Sequence, residues 1–117
     1  MRSIFSPFST NKKTVVNLDS DSFEESLKNN KDAILIDVRT HAEHIDVRIP
    51  NSRLIDLYTP DFKQKIEELD KTKHYYLYCR SGNRSYHASL AMIQMGFEHV
   101  YNLAPGIIGW NGKVEQD

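Results

Sequence analysis

Short apolar runs recur along the chain, and polar stretches with helical spacing separate them. Five of these runs are rich in β-branched, aliphatic or aromatic residues and predict strands at 14–18, 33–38, 54–57, 75–78 and 100–103. The run at 33–38 is almost continuous rather than alternating, which is typical of a strand buried on both faces, as in a parallel sheet.

Helices are predicted between the strands, from spacing and from end signals, at about 22–29, 40–45, 60–69 and 85–95. Ser22 and Glu25 have the spacing of a capping box, which marks the start of the first helix. Thr59 places a cap before Pro60 at the first position of another helix. Gly96 is expected to end the last one.

Strands that alternate with helices predict an α/β fold, with parallel strands joined by right-handed crossovers. A chain of 117 residues suits one domain with its own core, and residues 14–117 carry the whole pattern. Residues 1–13 have no carboxylate and no clear period, so we interpret them as an N-terminal tail. Both a frayed end and a docking arm fit that tail.

Charge and composition exclude some classes of protein. With 15 basic and 16 acidic residues the net charge is −1, which argues against a general nucleic-acid binder. No apolar run reaches the length of a signal peptide or a membrane span, and one cysteine allows no internal disulfide. We therefore expect a cytoplasmic protein that binds neither nucleic acid nor membrane.

The histidines do not form a convincing metal site. His41 and His44 lie three residues apart and can share one helical face, but no set of cysteines or carboxylates completes a zinc pattern. His87 lies just beyond the only cysteine, where a surface or packing role is expected. The sequence therefore predicts no metal.

The only cysteine, Cys79, follows a predicted strand and precedes a predicted helix. In open α/β sheets ligands bind at the carboxyl ends of strands, where Cys79 is placed. Gly82 permits a tight loop after it, and Asn83 tolerates unusual dihedrals. If the loop curls around the sulfur, the unpaired N–H groups at the start of the helix form an anion-binding cradle.

The charges in this region favour an ionised sulfur. The segment 71–97 contains no aspartate or glutamate, but it contains two lysines and the two loop arginines, Arg80 and Arg84. Cations and a helix N-terminus both favour the thiolate, which is the nucleophilic form. A lone cysteine is most often a small buried hydrophobe. The strand–loop–helix context, the glycine and the arginines favour a reactive thiolate here.

These residues resemble a known family. The segment resembles the active-site loop of rhodanese-domain sulfurtransferases, and it comprises Cys79, Arg80, Ser81, Gly82, Asn83, Arg84 and Ser85. The stretch 35–39, followed by Glu43, is similar to the family's early Asp-x-Arg segment. The stretch 102–110 is similar to its closing glycine–tryptophan segment. The resemblance covers roughly residues 14–112 in the expected order.

The resemblance implies a rhodanese-like three-layer fold, a parallel five-stranded sheet with helices on both faces. It implies transfer of a sulfane sulfur from a donor such as thiosulfate to a thiophilic acceptor, cyanide or a thiol. Cys79 would become a persulfide, the loop N–H groups would stabilise it, and Arg80 and Arg84 would bind or steer the anionic donor. No metal and no organic cofactor is required.

Two further residues are expected to support the site. Asp37 and Arg39 stand at the end of a buried strand, where a charge-assisted pair would brace the neighbouring loops. A catalytic role for either is the less favoured interpretation.

The chain departs from the family pattern at 47–52, which reads Val-Arg-Ile-Pro-Asn-Ser. The family usually has a small glycine-containing turn and a histidine before Ile-Pro. Val47 does not easily take the dihedrals of glycine, and Arg48 adds a charge where the family often has histidine. We therefore expect the local turn, and one wall of the site, to differ.

Two alternative functions use the same type of loop. A phosphatase or arsenate reductase also combines cysteine and arginine in an anion cradle, but four residues separate Cys79 from Arg84, whereas the tyrosine-phosphatase signature has five. That shorter loop is expected to be too small for a phosphate. A persulfide carrier that receives sulfur from a partner protein is also compatible with the sequence, and the polar tail could serve its docking.

Overall fold

The structure is a computed structural model that describes residues 13–117. The predicted tail at 1–13 lies outside this range except for Lys13. Within the described range the strands are β1 Val16–Leu18, β2 Ala33–Asp37, β3 Arg53–Leu54, β4 His74–Tyr78 and β5 His99–Leu103. The helices are α1 Ser20–Asn29, α2 His41–Asp46, α3 Phe62–Glu67 and α4 Asn83–Gln94, and a 3-10 turn spans Ile107–Gly109.

The strands form one five-stranded parallel sheet in the order β1-β5-β4-β2-β3. In register, Asp37 at the end of β2 pairs with Tyr78 at the end of β4, and Leu77 pairs with Asn102 of β5. The carboxyl ends of the three central strands therefore meet at one edge of the sheet. The predicted α/β class and five-stranded parallel sheet are confirmed.

Helices cover both faces of the sheet, which confirms the three layers. On one face α3 and α4 pack through Phe62, Ile66, Ala88 and Met92 against the strand residues Ile36, Tyr75, Leu77 and Val100 and against Val38, which follows β2. On the other face α1 places Phe23 against Leu35, Tyr76, Tyr78 and Leu103. The two apolar clusters anchor the strand ends from both sides, so the loops that follow β2 and β4 start from rigid positions.

Three predicted helix starts are wrong in position, those of α1, α3 and α4. The first helix begins at Ser20, and its N-cap is Asp19, whose carboxylate accepts from the N–H of Ser22 at 2.9 Å. Ser22 therefore lies inside the helix and forms no capping box with Glu25. Aspartate and serine are both good caps, and Asp19 lies three residues before Ser22, so residue type alone does not select between them.

The third helix begins at Phe62, two residues after the predicted proline position. The hydroxyl of Thr59 donates to the carbonyl of Asp56 at 2.9 Å, and the carboxylate of Asp56 accepts from the N–H of Tyr58 at 2.9 Å. The predicted cap is thus used in a local turn around Asp56. The strand β3 ends at Leu54, just before this turn. The N–H of Ile55 still donates to the carbonyl of Asp37 at the end of β2.

The segment 47–52, which departs from the family pattern, folds without strain at Val47. That residue has φ −158° and ψ 138°, which is extended backbone, and the positive φ of 68° in this segment falls on Asn51. Arg48 forms ion pairs with Glu115 at 3.3 Å and Asp117 at 2.7 Å. The added charge therefore holds the end of the described chain against this turn.

Within residues 13–117, none of the helices combines the length and the apolar character that crossing a membrane requires.

Candidate active site

Cys79 follows β4 directly and is completely buried. Its Sγ accepts a hydrogen bond from the backbone N–H of Gly82 at 3.1 Å and lies 3.3 Å from the hydroxyl oxygen of Ser85. Gly82 is the N-cap of α4, so the unpaired N–H groups at the start of that helix face the sulfur. The predicted cradle at the head of a helix is therefore present.

These hydrogen bonds also explain the acidity of the thiol. Burial disfavours the charged form of Cys79, but hydrogen bonds from the Ser85 hydroxyl and from the N–H groups of Ser85, Ser81 and Gly82 outweigh it. The net effect lowers the pKa of Cys79 below its ordinary value. The loop thus stabilises negative charge at the sulfur, as a nucleophilic thiolate requires.

Two glycines make the tight loop possible. Gly82 has φ +94°, and a Cβ at this position would lie 2.0 Å from the carbonyl oxygen of Ala104. Gly106 has φ +71°, and a Cβ there would lie 2.1 Å from the carbonyl oxygen of Arg80. Neither position has room for a side chain, so the loop and the segment after β5 approach each other backbone to backbone.

The segment after β5 also holds the loop through hydrogen bonds. The N–H of Ile107 donates to the carbonyl of Cys79 at 2.9 Å, and the N–H of Ile108 donates to the carbonyl of Arg80 at 3.2 Å. Trp110 lies beyond the 3-10 turn and packs edge-on against Phe23, at 6.1 Å between ring centroids. The glycine–tryptophan segment therefore holds the backbone of the active-site loop in place through these hydrogen bonds.

Arg84 has a different environment from the one the sequence suggested. Its guanidinium donates two hydrogen bonds of 2.9 Å to the two carboxylate oxygens of Glu43 in α2. Glu43 is the N3 residue of a capping box with Thr40, which fixes its position. Arg84 therefore joins the loop to α2. If Arg84 also binds the donor, it does so while paired with Glu43.

Arg80 is the exposed cation of the loop. Within the described part of the chain, the ion pairs do not include Arg80. Asn83 has helical conformation as the first residue of α4, so its predicted tolerance of unusual dihedrals is not used. The helix accordingly starts two residues earlier than the predicted position at Ser85.

Asp37 and Arg39 form the predicted brace. The guanidinium of Arg39 donates from Nε and Nη2 to the carboxylate of Asp37 at 2.9 and 2.8 Å, and from Nη2 to the carbonyl of Val47 at 2.6 Å. Burial favours the neutral carboxyl, but the hydrogen bonds from Arg39 and His44 outweigh it and hold the pKa of Asp37 below its usual value. The pair ties the end of β2 to the 47–52 turn.

Two further partners of this brace were not predicted from the sequence. Nδ1 of His44 lies 2.9 Å from the Asp37 carboxylate, and the hydroxyl of Tyr78 donates to the same carboxylate at 2.9 Å. Burial, together with the charge of Asp37, raises the pKa of Tyr78 to about 12, so the hydroxyl keeps its proton. Tyr78 precedes Cys79, and the brace therefore fixes the end of β4.

A buried polar residue near the cysteine, Asn102, was also missed. Asn102 of β5 lies 2.6 Å from the Ser85 hydroxyl, and its amide donates to Asn17 of β1 at 3.0 Å. The signal available in the sequence is a polar residue inside an apolar strand, which requires a buried partner. Nothing in the sequence names that partner.

These observations define a class of protein, an α/β domain with a cysteine of lowered pKa in the loop that caps a helix. The family model for the rhodanese-like domain matches residues 19–113. The chain therefore belongs to the rhodanese-like domain family of sulfurtransferases.

Individual relatives agree with this assignment. A protein named sulfurtransferase from Allochromatium vinosum is 36% identical over 93 residues, which cover 80% of this chain and 85% of that protein. A putative sulfur carrier protein from Bacillus subtilis is 27% identical over 107 residues, which cover 92% of this chain but 57% of the relative. The crystal structure of a rhodanese-related protein from Thermoplasma volcanium has a TM-score of 0.74 at 27% identity, covering 87% of this chain and 99% of that one.

Proposed function

We propose that Cys79 carries a sulfane sulfur as a persulfide and moves it from an anionic donor such as thiosulfate to a thiophilic acceptor, cyanide or a thiol. The observation that carries this proposal is the hydrogen bonding at Sγ. The Gly82 N–H donates to the sulfur and the Ser85 hydroxyl lies beside it, inside a loop that lowers the pKa of the thiol.

The chemistry follows from that geometry. The Cys79 thiolate attacks the outer sulfur of thiosulfate, a new S–S bond forms, and the S–S bond of the donor breaks. Sulfite leaves with the bonding electron pair, and the negative charge stays on the outer sulfur of the persulfide. An acceptor nucleophile then attacks that outer sulfur, which returns Cys79 as thiolate. Proton donation is needed at no step, and the loop N–H groups stabilise the anions.

Two arginines contribute in different ways to this reaction. Arg80 is exposed, so its charge is available to attract an anionic donor. Arg84 is held by Glu43 and keeps the loop in place at the start of α4. A thiol that must stay free also suits a reducing compartment such as the cytoplasm.

A second candidate is a carrier that takes its sulfur from a partner protein. Two large hydrophobic side chains are exposed: Tyr58 is 68% exposed, and Ile108, whose N–H donates to the Arg80 carbonyl of the loop, is 65% exposed. Exposed aromatic and aliphatic residues around a buried thiol suit a protein partner. The similarity to a putative sulfur carrier also favours this alternative.

Thiosulfate-to-cyanide transfer tests the proposal, with thiocyanate as the measured product. The unaltered chain should form thiocyanate, and Cys79→Ser should abolish it while keeping the native circular dichroism spectrum. Transfer that survives in Cys79→Ser would refute the proposal. A chain that accepts sulfur rapidly from a protein persulfide but slowly from thiosulfate would favour the carrier.

A further inference from the structure

The hydroxyl of Ser85 has one proton and three acceptors within reach. Its Oγ lies 2.6 Å from Oδ1 of Asn102, 3.3 Å from Sγ of Cys79 and 3.3 Å from the carbonyl oxygen of Gly82. A hydroxyl donates one hydrogen bond at a time. The acceptors therefore compete, and the shortest contact is the one to Asn102.

The orientation of the Asn102 amide is fixed by its other partners. Its Nδ2 lies 3.2 Å from the Gly82 carbonyl oxygen and 3.0 Å from Oδ1 of Asn17. The Gly82 carbonyl only accepts, so the NH₂ group has to face it, and Oδ1 is left facing Ser85. Since Oδ1 also only accepts, the short contact exists only when Ser85 donates its proton to Asn102.

We propose that Asn102 competes with Cys79 for the single proton of the Ser85 hydroxyl, and that the hydroxyl turns from Asn102 to the sulfur when Cys79 ionises. With the thiol protonated, Ser85 donates to Asn102 and its lone pairs face the S–H group. With the thiolate present, the proton points to the sulfur. Asn102 is 2% exposed, so its carbonyl then lacks a donor among residues 13–117, which costs free energy.

The competition has a consequence for the sulfur cycle, and this consequence rests on the proposed function. When a persulfide forms, the negative charge moves from Sγ to the outer sulfur. Because Sγ then carries no charge, it is a weaker acceptor, and the Ser85 hydroxyl again donates its hydrogen bond to Asn102. Asn102 therefore raises the free energy of the Cys79 thiolate relative to the Cys79 persulfide. It acts as a positioning residue that favours formation of the persulfide.

The first test measures the ionisation of Cys79 by the ultraviolet absorbance of the thiolate, with Cys79→Ser as the blank. We predict that Asn102→Leu, which is close to isosteric and lacks the acceptor, lowers the midpoint by about 0.5 to 1 pH unit, the size of one hydrogen bond. Asn102→Ala should act in the same direction. Asn17→Ala, which leaves the Gly82 and Ser85 contacts in place, should leave the midpoint unchanged.

Repeating the substitution in a Ser85→Ala background separates proton competition from a purely structural role. If Asn102 acts through the Ser85 proton, Asn102→Leu has no effect on the midpoint once Ser85 is alanine. The inference would be overturned if Asn102→Leu shifted the midpoint equally with and without Ser85→Ala. It would also be overturned if Asn102→Leu raised the midpoint while Ser85 is present. The charged groups on or paired with the loop, Arg80, Arg84 and Glu43, are unchanged in every variant.

A measurement on the unaltered chain remains valid even if the Asn102 variants do not fold. The side-chain carbonyl ¹³C resonance of Asn102 should shift with the same midpoint as the ionisation of Cys79, because its hydrogen-bond donor leaves. A resonance that does not titrate with the thiol would contradict the proposal. Neither titration needs a sulfur donor, so failure of this inference is distinguishable from failure of the sulfur-transfer function.

Discussion

Arg84 in the cysteine loop and Glu43 in α2 face each other across two parallel hydrogen bonds of 2.9 Å, although they lie 41 positions apart in the chain. Glu43 also accepts from the N–H and the hydroxyl of Thr40, at 3.0 and 3.1 Å. Both members of the pair are more than two-thirds buried, and a bidentate geometry makes such a pair stronger than an isolated surface contact. The pair therefore links the loop to the end of β2 through α2.

We predict that Arg84 and Glu43 are energetically coupled. Arg84→Ala and Glu43→Ala should each lower the free energy of unfolding by about 1 kcal/mol, and the double variant should lose little more than either single one. Urea unfolding of the four proteins measures this. Additive losses would show that the two side chains act independently.

The pair Lys71–Glu67 provides a matched control, at 3.1 Å on the protein surface. Its members are more exposed and lie four residues apart, so the coupling in the same cycle should be only a few tenths of a kcal/mol. If the coupling free energy of Lys71 and Glu67 were as large as that of Arg84 and Glu43, the latter pair would be no stronger than an ordinary surface pair.

Acid should weaken the fold partly through Glu43. Hydrogen bonds from Arg84, and then from Thr40, outweigh burial and lower the pKa of Glu43 from 4.5 to about 2. A carboxylate with a depressed pKa stabilises the fold fully above its unfolded value, and this contribution is lost as the pH falls from about 4.5 to about 2. We predict that the stability difference between the unaltered chain and Glu43→Gln is constant above this window and shrinks within it.

Urea unfolding of both proteins across this pH range checks the prediction. Asp37 also has a lowered pKa, but it is present in both proteins, so its contribution cancels in the difference. A difference that stays constant down to pH 2 would contradict the assigned role of Glu43.

Arg80 should affect binding of the donor without affecting stability. Its side chain is exposed, so Arg80→Ala should leave the free energy of unfolding within a few tenths of a kcal/mol. The KM for thiosulfate should rise about 2- to 5-fold, and the rise should shrink at high salt, because the attraction is between exposed charges. An unchanged KM at low salt would exclude Arg80 from donor binding.

Gly82 should tolerate no side chain. Gly82→Ala adds both left-handed strain and a collision with the Ala104 carbonyl, whereas Gly96→Ala adds a similar strain at φ +99° with only an ordinary contact to Lys71 at 3.7 Å. We predict a loss of about 1 kcal/mol for Gly96→Ala and clearly more for Gly82→Ala, together with loss of sulfur transfer in the latter. Equal losses in thermal unfolding would show that the loop is less crowded than the structure indicates.

The sequence pattern predicts the sheet and the cysteine loop well, because both depend on local signals. Apolar runs locate four of the five strands, whereas the third predicted strand shares only Leu54 with β3, and the glycine and arginines after Cys79 mark the loop. Helix starts are less certain, since Asp19 and Ser22 are both good caps and only the packed structure selects the first. Thr59 shows the same limit, because its hydroxyl bonds to Asp56 instead of capping α3.

Long-range polar contacts are beyond prediction from one sequence. Asn102 and Ser85 lie 17 residues apart, and Arg84 and Glu43 lie 41 apart, so no periodicity connects them. The turn at Val47 also depends on distant residues. Its backbone is extended, and Arg48 finds its partners at Glu115 and Asp117. Residue types gave the chemistry of the site, but the fold decides which groups meet.

Mass spectrometry of the protein after exposure to thiosulfate tests the central claim most directly. If Cys79 carries the transferred sulfur, the unaltered chain should gain the mass of one sulfur atom, located on the peptide that contains Cys79. Added cyanide should remove that mass, and Cys79→Ser should not gain it. A chain that gains no sulfur from thiosulfate or from a protein persulfide, or that gains it equally in Cys79→Ser, would contradict the account.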